Sequence, residues 1–289
     1  MKAKIRIIMV IATLSLMVIC QSAMAHNLWL NPDNYYPQVG STVTIGIGWG
    51  HKYPADRVDQ EVKADRVESI SAVDPDGLPV ALTQTSATFY KLSIKKAGAY
   101  QILAGIKPGF FTMTAEGRKW GDKKSVENPI KCTNFHIEAK TVIMAGGTDK
   151  NLGYFTGNSL EMIPLTNLQT AGKGDKLAVR VLFDGKPLPN ASVKATYAGF
   201  ESQDMASHGA VQKNAKAGAD EKAGKSGKPP VKRFPVETVT DESGEAVVPL
   251  DRSGYWMILL SHKPPFADTQ ICDEHMYHMA FTLEIGATP

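Results

Sequence analysis

The residues best suited to chemistry lie at Ala23-Met24-Ala25-His26-Asn27-Leu28-Trp29-Leu30, where small residues at 23 and 25 mark a cleavage site and a histidine follows it. A basic start (Lys2, Lys4, Arg6) and an apolar run from Ile7 to Ile19 complete the pattern of a secretory signal peptide over 1–25. Cleavage after Ala25 would give His26 a free α-amine beside its imidazole. Those two nitrogens can chelate one transition metal in a single ring, and an amine with an ordinary pKa of about 7.7–8.0 yields its proton readily to a competing metal. The competing reading gives His26 no role beyond being the residue the peptidase leaves first. Cys20 raises a lipoprotein anchor as an alternative, but Ile19 stands where a small residue is needed.

A second imidazole follows in Gly48-Trp49-Gly50-His51-Lys52, where small neighbours allow another segment to approach closely. Joined to His26 it would make a three-nitrogen site, a histidine brace of the kind that suits Cu(II) or Ni(II). A third cluster is Cys272-Asp273-Glu274-His275-Met276-Tyr277-His278. His275 and His278 would meet on a helix, but the alternation after them predicts a strand, in which they face opposite sides. His278 is then expected outward with Ala280 and Thr282, and His275 is free to turn either way, so at most one of the two is a ligand. His136, between Phe135 and Ile137, reads as a hydrogen-bonded structural histidine, and His262, before Pro264-Pro265, is ambiguous. His208 has no ligand neighbours and reads as solvated. No nucleophile elbow, phosphate loop or paired-cysteine zinc motif is present, which lowers the case for an enzyme.

The elements that must hold these residues are strands. Val43, Ile45, Ile47 and Trp49 share one face of a first strand; Val67–Val73 runs into the turn Asp74-Pro75-Asp76-Gly77; Tyr90–Ile94 and Tyr100–Ile106 follow. From Lys107 to about Asn134 the alternation lapses among Pro, Gly, Lys and aromatic residues including Phe110, Phe111 and Trp120, and an irregular, functional or mobile loop is expected. Gly146-Gly147 marks a boundary, after which strands begin near Leu160, Leu177, Val193, Val236, Val247, Tyr255 and Tyr277. The expectation is an all-β chain of two immunoglobulin-like β-sandwich domains, 26–145 and 158–286. A stretch at 205–232, rich in Ala, Gly and Lys, is expected to be disordered.

Lys and Arg total 32 and Asp and Glu 29, and the leader takes three of the bases, leaving 29 of each. Such balance offers no general attraction to nucleic acid or anionic membrane. No second apolar run approaches the roughly 20 residues of a membrane span, so a soluble periplasmic product is expected. Cleavage leaves two cysteines, Cys132 and Cys272, in a compartment where disulfides persist. A bridge between them is expected, with a pair of free thiols as the alternative.

With these segments laid out, the chain resembles a family of exported bacterial proteins of unknown-function domains, described as nickel-transport-associated periplasmic proteins (NikM/NikK-like). The likeness rests on AHNLWLNP from Ala25, Gly50-His51, AKTVIMAGG from Ala139, LEMIPLTN from Leu160, VRVLFDGKPLPNASVKA from Val179, TDESGEAVVPLDRSGYW from Thr240 and MYHMAFTLEI from Met276. The resemblance implies a metal-binding accessory protein that captures or delivers Ni(II) for an uptake transporter. Only His26 and His51 map onto its motif positions; His275 or His278 would supply a fourth position on the residue pattern alone. A further likeness, to copper-binding periplasmic sandwiches that begin with histidine, makes Cu(II) the competing metal. Two rival readings remain. One is an oxidative copper enzyme using the same brace, with Tyr35, Tyr36 and Tyr53 as aromatic platforms. The other is a metal-free immunoglobulin-like binding or assembly module.

Overall fold

Alternating apolar residues do form strands almost throughout. The computed structural model describes residues 26–58, 64–200 and 234–286; the leader at 1–25, the 205–232 stretch and His208 lie outside them. The first half contains β1 (Asn27–Pro32), β2 (Thr42–Gly50), β3 (Val67–Val73), β4 (Pro79–Val80), β5 (Thr83–Gln84), β6 (Phe89–Ser93), β7 (Gly98–Thr114), β8 (Gly117–Trp120) and β9 (Lys131–Ala145). The second contains β10 (Leu160–Pro164), β11 (Lys176–Phe183), β12 (Lys186–Pro187), β13 (Ser192–Tyr197), β14 (Val236–Val239), β15 (Glu245–Pro249), β16 (Gly254–His262) and β17 (Glu274–Ile285). Among the described residues no helix is long and apolar enough to cross a membrane.

These strands make three sheets. The middle one has nine strands, running β14-β13-β16-β17-β9-β7-β3-β4 with β8 against β7. One outer sheet is β1-β2-β6-β5, the other β10-β11-β12 with β15 on β11. Neighbouring residues of the middle sheet serve different cores, because successive side chains point to opposite faces. Ile143 and Ala145 of β9, with Tyr100 and Ile102 of β7, pack with Val43, Ile45, Ile47 and Trp49 of β2. Val142 and Met144 of β9, with Ala99 of β7, pack instead with Leu177, Val179 and Val181 of β11 and with Phe281 and Leu283 of β17. Each half therefore closes an all-β sandwich, the second of immunoglobulin-like form, on opposite faces of a common sheet.

That sharing departs from the expectation of separate sandwiches. The join is a parallel pairing of β9 and β17, in register from Thr133 with Glu274 to Thr141 with Thr282. The two strands lie about 140 residues apart and local alternation does not encode which distant strand each one pairs with, so the shared sheet left no mark in the residue pattern. Thr141 Oγ1 donates to Thr282 O at 2.9 Å, and Thr282 Oγ1 donates to Leu30 O at 2.7 Å, tying β9 to β17 and β17 to β1.

Two further expectations are corrected. The segment Lys107–Asn134 is not an irregular loop through its length: β7 continues to Thr114 and turns into β8, whose residues Gly117–Trp120 pair with Thr114–Phe111. The alternation is interrupted there because the register shifts between Ile106 and Gly109, accommodating Pro108, and Gly109 lies where a Cβ would come 2.8 Å from the Phe135 ring. The outward direction expected for His278, Ala280 and Thr282 is also wrong. Ala280 and Thr282 are fully buried, because β1 lies across that face and drives Trp29 against Met257, Leu259 and Ala280. Trp29 fits only because residue 48 is glycine; a Cβ there would come 1.9 Å from Trp29 Nε1.

Cys132 and Cys272 are bridged, with Cα atoms 4.9 Å apart and 140 residues between them in sequence. The bridge sits at the head of the β9–β17 pair, where Asp273 Oδ2 also accepts from Cys132 N at 2.8 Å. Closing so long a loop restricts the unfolded chain, so replacing both cysteines by alanine is expected to lower unfolding stability by ~4–5 kcal/mol, measured by urea denaturation.

A charge pair also lies inside. Lys140 of β9 and Glu161 of β10 are both fully buried, with Nζ 2.7 Å from Oε1, and Glu161 accepts further bonds from Thr156 N, Thr156 Oγ1 and Gly157 N. Burial pulls the Lys140 ammonium down from its usual range while Glu161 opposes that shift. Glu161→Gln leaves the ammonium without its counter-charge and is expected to cost about 3–5 kcal/mol in thermal or urea unfolding, whereas Lys140→Met with Glu161→Leu recovers most of the loss.

Candidate functional site

β1 and β2 run antiparallel with Asn27 opposite Gly50 and Leu28 opposite Trp49. Continuing that register by one rung sets His26 against His51, and their ring centroids are 4.4 Å apart with planes 31° from parallel. His26 also stacks on Trp49, centroid to centroid 5.5 Å at 17°. The rung is held from both ends. Leu28, Trp29 and Leu30 are fully buried and anchor β1, while Asp56 Oδ2 accepts from His51 N at 3.1 Å and Lys52 N at 3.0 Å and fixes the turn after β2.

The ring spacing tests whether the donors suit a metal. An ion about 2.0–2.1 Å from one nitrogen of each ring, with the two bonds at right angles, places the centroids about 4.5 Å apart; bonds on opposite sides place them about 6.3 Å apart. The observed 4.4 Å brings the rings as close as the right-angled arrangement needs, and is also the spacing of an ordinary tilted ring pair. Among the described residues no group of three or more His, Cys, Asp or Glu side chains is clustered for metal binding. A third donor at this rung would have to be the His26 amine, a backbone group freed by cleavage.

The other two candidates are placed differently. His278 Nε2 lies 2.8 Å from Asn27 Oδ1 and its Nδ1 lies 2.7 Å from Ser261 Oγ. An amide oxygen only accepts, so Nε2 carries the proton and Nδ1 accepts from the serine. Burial pushes this imidazole down to about 4, keeping it neutral. Both nitrogens are committed, so His278 holds Asn27, the residue after His26, and offers no lone pair for a metal. His275 lies within β17 and points to the opposite face, with Nδ1 2.9 Å from Asn134 Oδ1. The same oxygen takes His136 Nε2 at 2.7 Å, and His136 stacks on Tyr277 at 4.5 Å. His262 packs on Phe183, ring centroids 4.5 Å apart.

Beside His26 opens a cleft of about 250 Å³ at the end of the first sandwich. Trp49, Phe111 and Trp120 line it together with Arg66 and Arg118. Arg66 Cζ lies 5.3 Å from the Trp120 centroid, and Arg118 Cζ lies 4.8 Å from the Phe111 centroid. The long β7–β8 hairpin supplies this wall. The aromatic residues flagged at Phe111 and Trp120 were the available signal; the arginines gave none. The tyrosines expected as surface platforms do not serve as such. Tyr35 is 2% exposed, the Tyr36 hydroxyl lies between the acceptors Leu168 O and Glu284 O, and the Tyr53 hydroxyl donates to Trp256 O. Trp120, 61% exposed, is the aromatic surface near His26.

A family model described as a domain of unknown function (DUF4198) matches residues 23–264. No curated protein matches the sequence. Among solved structures, Salmonella alpha-2-macroglobulin reacted with methylamine is 11% identical at a TM-score of 0.23, over 89% of this chain and 15% of that one. The chain thus spans about a seventh of that protein. The fibronectin(III)-like modules of Clostridium thermocellum CbhA are 9% identical at 0.20, covering 90% of this chain and 96% of theirs. The D0-D1 domain of Intimin is 9% identical at 0.20, covering 88% and 97%.

The half-buried, neutral His278 sets a pH dependence. Unfolded, the ring takes a proton near its ordinary 6.5; folded, only near about 4. The unfolded state therefore binds more protons between these values, and stability is lost as pH falls through that window, by about 3 kcal/mol at roughly 1.4 kcal/mol per unit. Denaturant unfolding should show the stability gap between wild type and His278→Gln shrinking steadily from about pH 7 to about pH 4.

Proposed function

This chain belongs to the DUF4198 family of domains of unknown function, and we propose that it is an exported, periplasmic accessory protein that captures Ni(II) and passes it to an uptake transporter. The observation that carries the reading is the meeting of His26 and His51 on one rung, with the two rings close enough to share an ion. After cleavage following Ala25, the amine and ring of His26 chelate the ion and the His51 ring adds a third nitrogen. Chelation by one residue costs less ordering than ligation by two segments. His278 supports the site from behind through Asn27. Three nitrogens and no thiolate or carboxylate also suit Cu(II), which outcompetes Ni(II) at most such sites. Nickel rests on the resemblance of the sequence motifs.

The test uses chains that start at His26 with the amine free, acetylated or preceded by one extra residue, titrated with Ni(II) and Cu(II). Blocking the amine is expected to weaken binding as much as His26→Ala, by tenfold or more (~1.4 kcal/mol per tenfold). His51→Ala should lie between these and wild type, and His136→Ala should change little. Unchanged affinity after acetylation would sink the proposal. Copper, found in place of nickel in protein isolated from the exporting cell, would turn it into a copper holder.

A further inference from the structure

The cleft beside His26 has unused binding capacity of one kind. Among the described residues neither Arg66 nor Arg118 forms an ion pair; they lie over the faces of Trp120 and Phe111. Trp49, which lines the same cleft, is 7% exposed, and its Nε1 is buried with no acceptor among the described residues. Among the described residues no acidic residue lines the cleft. Arg66 and Arg118 are exposed cations at the mouth of the cleft, whereas Trp49 Nε1 is closed off from it and the Trp49 ring supplies only apolar wall. An occupant complementary to the two guanidiniums is negatively charged and carries acceptor oxygens. Guanidinium pairs carboxylates in bidentate fashion, and the aromatic walls accept a flat or apolar body. At about 250 Å³ the cleft lies below the roughly 300–1,000 Å³ of drug-sized sites, so the occupant is small.

The two guanidiniums also bear on the reading of His26 as a metal ligand, on which this inference rests. Fixed positive charges beside a cation site disfavour a bare dication and favour a metal that arrives with part of its charge offset by an anionic chelator. We propose that the cleft binds a small organic carboxylate with a flat or aromatic body, and that this molecule is the chelator that brings the metal to His26.

Picolinate, which is flat, carries one carboxylate and chelates nickel, serves as the probe. The chain starting at His26 is titrated by calorimetry with picolinate, with its one-to-one Ni(II) complex, with the uncharged picolinamide and with Ni(II) alone. The expected result is that the complex binds at least tenfold more tightly than Ni(II) alone. Arg66→Gln with Arg118→Gln should lose tenfold or more for picolinate and for the complex while binding Ni(II) alone at least as tightly as wild type. Lys119→Gln, which removes a charge from the same hairpin, should change neither. Picolinamide binding as well as picolinate, or a double variant that binds the complex as wild type does, overturns the proposal. Arginine-dependent binding of picolinate without any nickel binding supports the carboxylate site and overturns the metal reading instead.

Discussion

The pairing of β9 with β17 is the constraint on which the other features depend. It fuses two sandwiches through a single sheet and sends alternate apolar residues of β9 to opposite cores. It sets the bridge between Cys132 and Cys272 at its head, where Asp273 also receives the Cys132 amide. Through Thr282 it fixes Leu30, and through His278 it fixes Asn27, so the position of β1, and with it His26, follows from how β17 lies on β9. Lys140 and Glu161 are buried for the same reason: a lysine on the second-core face of β9 has no route to water and must find its carboxylate on β10.

Strands with one face in a core were legible in the residues. Val43, Ile45, Ile47 and Trp49 alternate with small or polar neighbours, and all four lie in the first core. What could not be read were the surfaces created when sheets stack. His278, Ala280 and Thr282 look polar or small enough for solvent, yet β1 covers them, because Trp29 needs a flat neighbour and Ala280 provides one. Lys107–Asn134 looked irregular because a proline and a glycine sit at a register shift inside a strand. Both features arise from contacts between segments far apart in sequence, which local alternation does not encode.

The same division runs through the candidate site. That His26 and His51 each have ligand chemistry was legible; that they meet depends on one register, Asn27 opposite Gly50, which no spacing in the chain specifies. His278 is spent on holding Asn27. His275 shares an amide oxygen with His136 on the far face. Arg66 and Arg118, isolated in sequence, become partners only once β8 folds back along β7.

The strand that completes the middle sheet is also the last to be made. During synthesis β9 has β7 on one side, but its other edge stays a row of unpaired amides and carbonyls until the 12 residues of β17 arrive, some 140 positions later. Contacts so distant in sequence are slow to form, and an open strand edge invites pairing with another chain. A chain truncated before Glu274 would thus lose more than its last strand: the first half, complete in length, would be left with β9 as an exposed edge and with the backing for β1 gone.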